Sequence, residues 1–370
     1  MKRKFSVLIV SAVIVGLTLS LVGMALIPQV ASAEKNQNLD RQVPKPIPAT
    51  DVKIVKKIPL LPTDGNAKGK PSRPTGQDKK KEKGPAATGE LGATSTGAKY
   101  AVIIGICDYP GTNNDLCTSD GDSLNMYKAL TTLYNYNPEN IYLFKDMGGT
   151  TGNFYGETAS TTYAIPTRGN IYTTIMNINA TSNDEVVFFF SGHGASGIAS
   201  DGDKERIDEA IVVHNASSTD LDYIWDGELR DWFNDFGTTR IAFVFDTCLA
   251  GGWNDLAAEG RVISMATGEK QPAYVYSSDL LNVRVDEMVD IDGDGRLDGE
   301  GVFSRYFVNE GMLLGLADKY NHATDDPNDL GLGIGEDVVV EEAFDYAKAS
   351  ITIPTQKPVI SDNFPNDLLL

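Results

Sequence analysis

The sequence predicts an α/β fold in which helices cover both faces of a mostly parallel sheet. Its strand-like segments, such as YAVIIGI at 100–106 and EVVFFFS at 185–191, are continuously apolar and do not alternate with polar residues. This pattern is typical of strands that are buried on both faces. Segments with helical spacing of apolar residues lie between these strands, which favours parallel pairing through helical crossovers. In such sheets, ligands bind beyond the carboxyl ends of the strands.

The individual elements follow from the same two patterns. SLNMYKALTTLY, for example, repeats an apolar residue every three to four positions and is therefore predicted to be a helix. The predicted strands are 100–106, 140–146, 185–191, 240–246, 273–278 and a last one within 357–362. The predicted helices are 123–134, 170–180, 226–236, 303–316 and 338–351.

The amino terminus has the pattern of a targeting segment. Three basic residues, Lys2 to Lys4, precede a long apolar stretch from Phe5 to Pro28, and Ala31-Ser32-Ala33 then fits a signal peptidase site. We expect residues 1–33 to act as a signal peptide or, because the apolar stretch is nearly long enough to span a bilayer, as an uncleaved anchor. Either outcome exports the rest of the chain, and contact with a membrane is expected only through this segment.

The charge of the chain is divided unevenly. Residues 1–98 contain 16 Lys and Arg against 7 Asp and Glu, which leaves 16 against 44 for residues 99–370. The acidic second part would repel nucleic acid, so that class of partner is excluded. Residues 34–98 are rich in Pro, Lys and Gly, and we expect a disordered linker or propeptide there. The folded domain is expected to cover residues 99–370.

Two apolar strands end in the same way. EVVFFFSGHG carries His193 just past its strand, and IAFVFDTCLAGG carries Cys248 just past the other. Because the carboxyl ends of parallel neighbours share one sheet edge, these two side chains are predicted to meet. A nearby imidazole can help to generate a thiolate and then protonate a leaving amine. The backbone amides of Gly194 and Cys248 are the candidate donors to the developing oxyanion.

The order of these motifs resembles the cysteine peptidases that include caspases, metacaspases, legumains and clostripain-like enzymes, with metacaspase-type domains most similar. The resemblance implies a caspase-like three-layer sandwich in which Cys248 is the nucleophile and His193 the general base or acid. The matching segments run in chain order across most of residues 99–362: KYAVIIGI, DLCTSDGDSLNM, SGHG, DEAIV, DTC, GVFSRYFVNEGM and QKPVISD.

Metacaspase-like enzymes line their primary specificity pocket with acidic residues, and the resemblance assigns that role to Asp120 and Asp246. Two carboxylates in a concave pocket select a Lys or Arg side chain, because an unpaired buried charge is costly. We therefore expect cleavage of proteins or peptides after basic residues. Lys79, Lys80, Lys81 and Lys83 lie ahead of the domain, so self-cleavage there is a further prediction. For Asp120, a helix cap is the alternative role.

DIDGDGRLDGEG at 290–301 resembles a calcium loop, with a glycine at its sixth position for the sharp turn. Its end departs from the pattern, because Gly301 stands where a bidentate acid is expected and the acid comes one residue earlier. We expect calcium binding here, and no organic cofactor. The candidate ligands are Asp290, Asp292, Asp294, the position of Arg296, Asp298 and Glu300. A second acidic group, Asp201, Asp203, Asp208 and Glu209, is the alternative place for calcium.

Other functions remain open at this stage. A caspase-like fold can serve as a catalytically silent binding module, although retention of both His193 and Cys248 argues against that function. A transpeptidase would use the same thioester intermediate as a peptidase. The three cysteines also leave two alternatives, since Cys107 and Cys117 either pair with each other or remain thiols.

Overall fold

The computed structural model describes the chain over residues 42–60, 85–110, 114–116, 119–145, 149–150, 162–202, 206–217, 219–276, 300–318 and 337–370. Val43–Leu370 forms one compact unit. The predicted targeting segment at 1–33, the lysine cluster at 79–83 and residues 290–299 of the calcium loop lie outside the described residues. Within the described ranges, no helix is both long and apolar enough to cross a bilayer.

The helices are short and lie close to the predicted positions. The helix predicted at 303–316 begins as a single α turn and continues with π-type hydrogen bonding over Arg305–Leu313. The α-helices are α1 (Ser119–Thr132), α2 (Arg168–Asn177), α3 (Asp226–Asn234), α4 (Val302–Ser304) and α5 (Val340–Ser350).

The strands include all those predicted and several that the sequence patterns did not indicate. They are β1 (Ala49–Val55), β2 (Ile58–Leu60), β3 (Lys99–Gly105), β4 (Ile141–Lys145), β5 (Gly149–Thr150), β6 (Thr162–Tyr163), β7 (Glu185–Ser191), β8 (Gly194–Ala199), β9 (Asp208–His214), β10 (Leu221–Trp225), β11 (Ile241–Asp246), β12 (Arg261–Met265), β13 (Tyr274–Tyr276), β14 (Glu300–Gly301) and β15 (Val359–Asp362).

The central sheet has the strand order β15-β12-β11-β7-β3-β4. Strands β12, β11, β7, β3 and β4 run parallel, and β15 closes one edge in the antiparallel direction. The predicted mostly parallel sheet is confirmed. Parallel pairing of β7 with β11 places the residues that follow them at the same edge, which is the arrangement that the site requires.

Each face of the sheet has its own apolar core. Along β7, Val187 and Phe189 pack on one face with residues of α1 and α5, while Phe188 and Phe190 pack on the other with residues of α2 and α3. The four side chains are 0% exposed. Full burial of each such side chain is worth about 1.5–3 kcal/mol. This two-sided burial explains why the strand sequences are continuously apolar.

A second sheet, β1-β8-β9-β10, was not predicted. All of its pairings are antiparallel. Strand β8 follows His193 directly, and its sequence GASGIA consists mostly of small residues, including two glycines, so it carries little strand signal. Its partner β1 comes from residues 49–55, well over a hundred positions earlier in the chain. Such long-range pairing leaves no local pattern in the sequence.

The expectation that residues 34–98 form a disordered linker was wrong for 42–60 and 85–98. Strand β1 adds to the edge of β8, and β2 adds to β13. Carboxylates of the domain hold the later part, since Asp345 accepts hydrogen bonds from the backbone of Ala86 and Ala87 at 2.7 and 3.1 Å. The composition of a segment indicates only how much apolar surface the segment itself can bury. Here the segment is ordered by strand pairing and by hydrogen bonds to carboxylates elsewhere in the fold, which its composition does not reveal.

Candidate active site

The ends of β7 and β11 bring the two predicted catalytic residues to the same edge. Ser191 pairs with Asp246, so His193 and Cys248 each lie two residues beyond the last pair. The N–H of Gly192 donates to the carbonyl of Asp246 at 3.3 Å. A Cβ atom at Gly194 would lie 2.3 Å from the Cys248 carbonyl oxygen, so only glycine permits this close approach.

His193 is held with one ring nitrogen available for catalysis. Its Nε2 lies 2.9 Å from the carbonyl oxygen of Asn114, and a carbonyl can only accept, so Nε2 carries the proton. The ring of Tyr109 stacks on the imidazole with centroids 4.9 Å apart. Nδ1 is buried and has no hydrogen-bond partner within the described structure. Burial lowers the pKa of His193 to about 4, which keeps the imidazole neutral near pH 7 with Nδ1 free to accept a proton.

Cys248 is a buried thiol in this state. It is 1% exposed, and its Sγ accepts a hydrogen bond from the backbone N–H of Ala273 at 3.1 Å. Burial raises its pKa to about 11, although the Ala273 hydrogen bond acts in the opposite direction. The sulfur therefore needs a base in order to react at neutral pH. Cys107 is also buried, and its possible partner Cys117 lies outside the described residues.

The backbone turns sharply directly after Cys248. Leu249 has a φ of 62°, in the left-handed region that non-glycine residues rarely adopt. A short 3₁₀ helix, Ala250–Leu256, follows. This turn ends β11, and the backbone of Cys248 lies close to Gly194. The backbone amides of these two residues are the predicted oxyanion donors. Strain of this kind recurs at functional sites, where it fixes the geometry before substrate binds.

Asp246 is one of two buried carboxylates that surround the Lys57 side chain, and the space that Lys57 fills is called the acidic pocket below. One of its carboxylate oxygens contacts the Lys57 ammonium at 2.9 Å, and both side chains are 0% exposed. The other oxygen accepts two hydrogen bonds from Ser304, from the backbone N–H at 2.9 Å and from the hydroxyl at 2.8 Å. The Lys57 ammonium also donates to the hydroxyl of Ser191 at 2.9 Å.

The second carboxylate of the pocket is Asp122. It accepts from the Ser191 hydroxyl at 2.6 Å and from the Gly301 N–H at 2.9 Å. The Lys57 ammonium lies 3.9 Å from it. Burial raises the pKa of Asp122 well above its ordinary value, with Lys57 opposing that shift and Asp246 adding to it. Two buried carboxylates thus share one lysine, and a cation in the pocket relieves their mutual repulsion.

The assignment of Asp120 to this pocket was wrong. Asp120 contacts Lys145 at 3.3 Å instead. Both acids lie in the first turn of α1, and residues two apart on a helix point to roughly opposite sides, so only one of them can face the pocket. Asp122, which was not predicted, is the acid of this turn that contacts Ser191 and Lys57. Ser191 belongs to the SGHG motif, but its contacts with Lys57 and Asp122 were not predicted, and no role was predicted for Lys57.

The described residues do not form a metal site. No group of three or more His, Cys, Asp or Glu side chains within them is placed to hold a metal ion. Glu300, the one predicted calcium ligand that is described, is buried and accepts hydrogen bonds from Asn125, at 3.3 Å, and from Asn309. Asp208 of the alternative acidic group accepts from the backbone N–H of Ala199 at 2.6 Å. Both carboxylates therefore accept hydrogen bonds from groups of the protein itself.

Comparison with known proteins finds the same class of domain. Residues 99–257 match the family model described as metacaspase, peptidase C14 domain. Metacaspase-1 of Schizosaccharomyces pombe is 30% identical over 174 residues, which are 44% of this chain and 36% of that protein. Metacaspase-7 of Arabidopsis thaliana is 30% identical over 185 residues, 49% of this chain and 41% of that protein. Metacaspase-1 of Cryptococcus neoformans is 25% identical over 313 residues, 79% and 57% of the respective lengths.

The chain therefore contains a caspase-like domain. More particularly, residues 99–257, which contain both the histidine and the cysteine motifs, are similar to the metacaspase type of this domain. The chain spans roughly a third to three fifths of the length of these curated relatives, which are 36%, 41% and 57% covered.

Proposed function

We propose that this chain is a cysteine endopeptidase that cleaves proteins or peptides after Lys or Arg. The observation that carries the proposal is the buried Lys57 ammonium, 2.9 Å from Asp246 and from the Ser191 hydroxyl. Asp246 lies two residues before Cys248, so a basic side chain in this pocket brings the carbonyl of its own residue close to the nucleophile. An ammonium or guanidinium satisfies the buried carboxylates, whereas an apolar or acidic side chain leaves them unpaired.

The chemistry follows from the free Nδ1 of His193. Nδ1 accepts the proton of the Cys248 thiol, and the thiolate attacks the substrate carbonyl carbon. The backbone amides of Gly194 and Cys248 are the proposed donors to the tetrahedral oxyanion. The imidazolium then gives its proton to the leaving amine, and the C–N bond breaks. Water hydrolyses the remaining thioester, with His193 again as the base.

Fluorogenic peptides that end in Arg, Lys or Asp test this proposal directly. We expect the wild-type chain to hydrolyse the Arg and Lys peptides and a Cys248→Ala variant to hydrolyse none. Hydrolysis of the Asp series alone would contradict the specificity. An added amine acceptor distinguishes hydrolysis from transpeptidation, because transfer gives a new amide product of greater mass.

Three further proposals rest on the sequence. The segment at 1–33 directs export. Fractionation of cells that produce the chain, with and without this segment, tests that proposal.

Self-processing at Lys79, Lys80, Lys81 or Lys83 would release the preceding residues. Replacing all four lysines by alanine should then abolish any Cys248-dependent shortening of the chain on gels.

Calcium activation is proposed on the loop at 290–300. Because the described carboxylates hold hydrogen bonds within the protein, no catalytic step is assigned to the ion. Hydrolysis of the Arg peptide should fall when a chelator is added and return with excess calcium. A double variant, Asp290→Asn with Asp292→Asn, should lose this response. Activity that is indifferent to the chelator would refute the proposal.

A further inference from the structure

The residues before the catalytic domain cross the active-site cleft. On one side, Val55 of β1 pairs with Gly194 of β8, directly after His193. On the other side, the N–H of Ile58 donates at 2.9 Å to the carbonyl of Ala273, the same residue whose N–H bonds the Cys248 sulfur. We call residues 49–60 the strap. Its Lys57 side chain lies between these two anchors and enters the acidic pocket, where it is 0% exposed.

The two anchors fix the direction in which the strap runs. Residues before Lys57 lie along β8, on the side of His193, and residues after it lie along β13, on the side of Cys248. Strand β2 is parallel to β13, with Ile58 opposite Tyr274 and Leu60 opposite Tyr276, so the chain that follows Lys57 runs along β13 away from Ala273.

A substrate must run in the opposite direction. The leaving amine belongs to the residue after the scissile bond, and it takes its proton from His193. The part of a substrate that follows the cleaved residue therefore passes on the His193 side, and the part that precedes it lies along β13. In the strap, the residues before Lys57 lie on the His193 side and the residues after it lie along β13, which is the reverse of the direction required of a substrate.

From this opposition, which rests on the proposed function, we infer that the strap is a built-in inhibitor that fills the basic-side-chain pocket backwards. Lys57 satisfies Asp246 and Asp122 as a substrate side chain would, but the amine that follows Lys57 lies on the side away from His193. The strap covers the cleft in most molecules, so that the wild-type chain hydrolyses substrates slowly through the minor open state, and the strap is not cut after Lys57. Activity requires that β1 and β2 be displaced from β8 and β13.

The test compares Lys57→Met with a matched control, Lys53→Ala, whose side chain lies in the same strap and is exposed. The rate of Cys248 alkylation by iodoacetamide reports access to the cleft without requiring peptidase activity. We expect Lys57→Met to raise both this rate and hydrolysis of an Arg peptide by about tenfold or more, because the open state becomes more populated. Lys53→Ala should change neither by more than about twofold.

A second variant avoids the buried charges. Ile58→Pro removes the N–H that bonds Ala273 while leaving Lys57 in place, and it should raise alkylation in the same direction. Thermal unfolding of each variant shows whether it is folded. For cleavage, intact-mass measurement after prolonged incubation of the wild-type chain should show no fragment that begins at Ile58.

The outcomes are distinct. If folded Lys57→Met and Ile58→Pro both react with iodoacetamide at the wild-type rate, the strap does not block the cleft and the inference fails. A fragment that begins at Ile58 and disappears in Cys248→Ala overturns the reversed direction. Faster alkylation without hydrolysis of any basic peptide supports the strap and overturns the proposed peptidase function.

Discussion

The two ends of the central sheet carry buried carboxylates that are neutralised in different ways. At the amino end of β7, Glu185 pairs with Arg240 and accepts from the Tyr136 hydroxyl at 2.6 Å. At the carboxyl edge of the same sheet, Asp246 pairs with Lys57 at 2.9 Å. Glu185 and Asp246 are both 0% exposed.

The difference lies in what supplies the cation. Arg240 comes from the residue before β11 and also donates to the carbonyls of Ala93 and, at 2.6 Å, Leu369, so it belongs to the body of the fold. Lys57 comes from a strap held at the edges of two sheets, and it serves two carboxylates. A fixed cation makes a structural ion pair, whereas a cation on a displaceable strap leaves a site that another cation can occupy.

Glu185→Ala should produce the largest loss of stability. It leaves Arg240 without its carboxylate and removes the acceptor of Tyr136, at a cost of about 3–5 kcal/mol in the free energy of unfolding. Denaturant titration measures this, with the exposed Glu139→Ala as the control, expected within about 0.5 kcal/mol of wild type. The alkylation rate of folded Glu185→Ala should match that of wild type. A change in that rate would mean that the two ends of the sheet are coupled.

Asp246→Asn, made in the Lys57→Met background so that the strap does not mask its effect, should act on recognition. We expect kcat/KM for an Arg peptide to fall about 100-fold, because a buried charge-assisted contact to the guanidinium is lost. The rate of Cys248 alkylation is the control for an intact cleft. An equal loss for Arg and uncharged peptides would contradict the pocket assignment.

Asp122→Asn and Asp120→Asn form a matched pair from one turn of α1. In the same background, Asp122→Asn should reduce kcat/KM for the Arg peptide by about tenfold, since its carboxylate lies farther from the cation than that of Asp246. Asp120→Asn, which faces Lys145, should stay within about twofold. A larger loss of kcat/KM for Asp120→Asn than for Asp122→Asn would mean that Asp120, and not Asp122, belongs to the pocket.

The pH dependence of kcat/KM should give the smallest effect. His193 acts as a base only when neutral, and burial lowers its pKa from 6.5 to about 4. A lowered pKa keeps the imidazole neutral as the pH falls below 6.5, so the acid limb of the profile should lie below that value and activity should be lost towards pH 4. An acid limb at 6.5 or above would show that displacement of the strap exposes the ring to water.

Much of this site could be predicted from local sequence. The continuous apolar character of β7 and β11, each followed by small residues, was sufficient to predict parallel neighbours and therefore the common edge that carries His193 and Cys248. The choice between Asp120 and Asp122 could not be made in that way, because it depends on where α1 begins and which of its sides faces β7.

The sequence alone determined the sheet, its two apolar faces and the edge at which His193 and Cys248 lie, because these follow from patterns within single strands. Only the tertiary structure decided what fills the pocket. Lys57 stands in a segment with the composition of a linker, and its partners Asp122, Ser191 and Asp246 lie up to almost two hundred residues away. Such contacts depend on long-range strand pairing, which orders the segment and sets its direction without leaving a periodic signal in the chain.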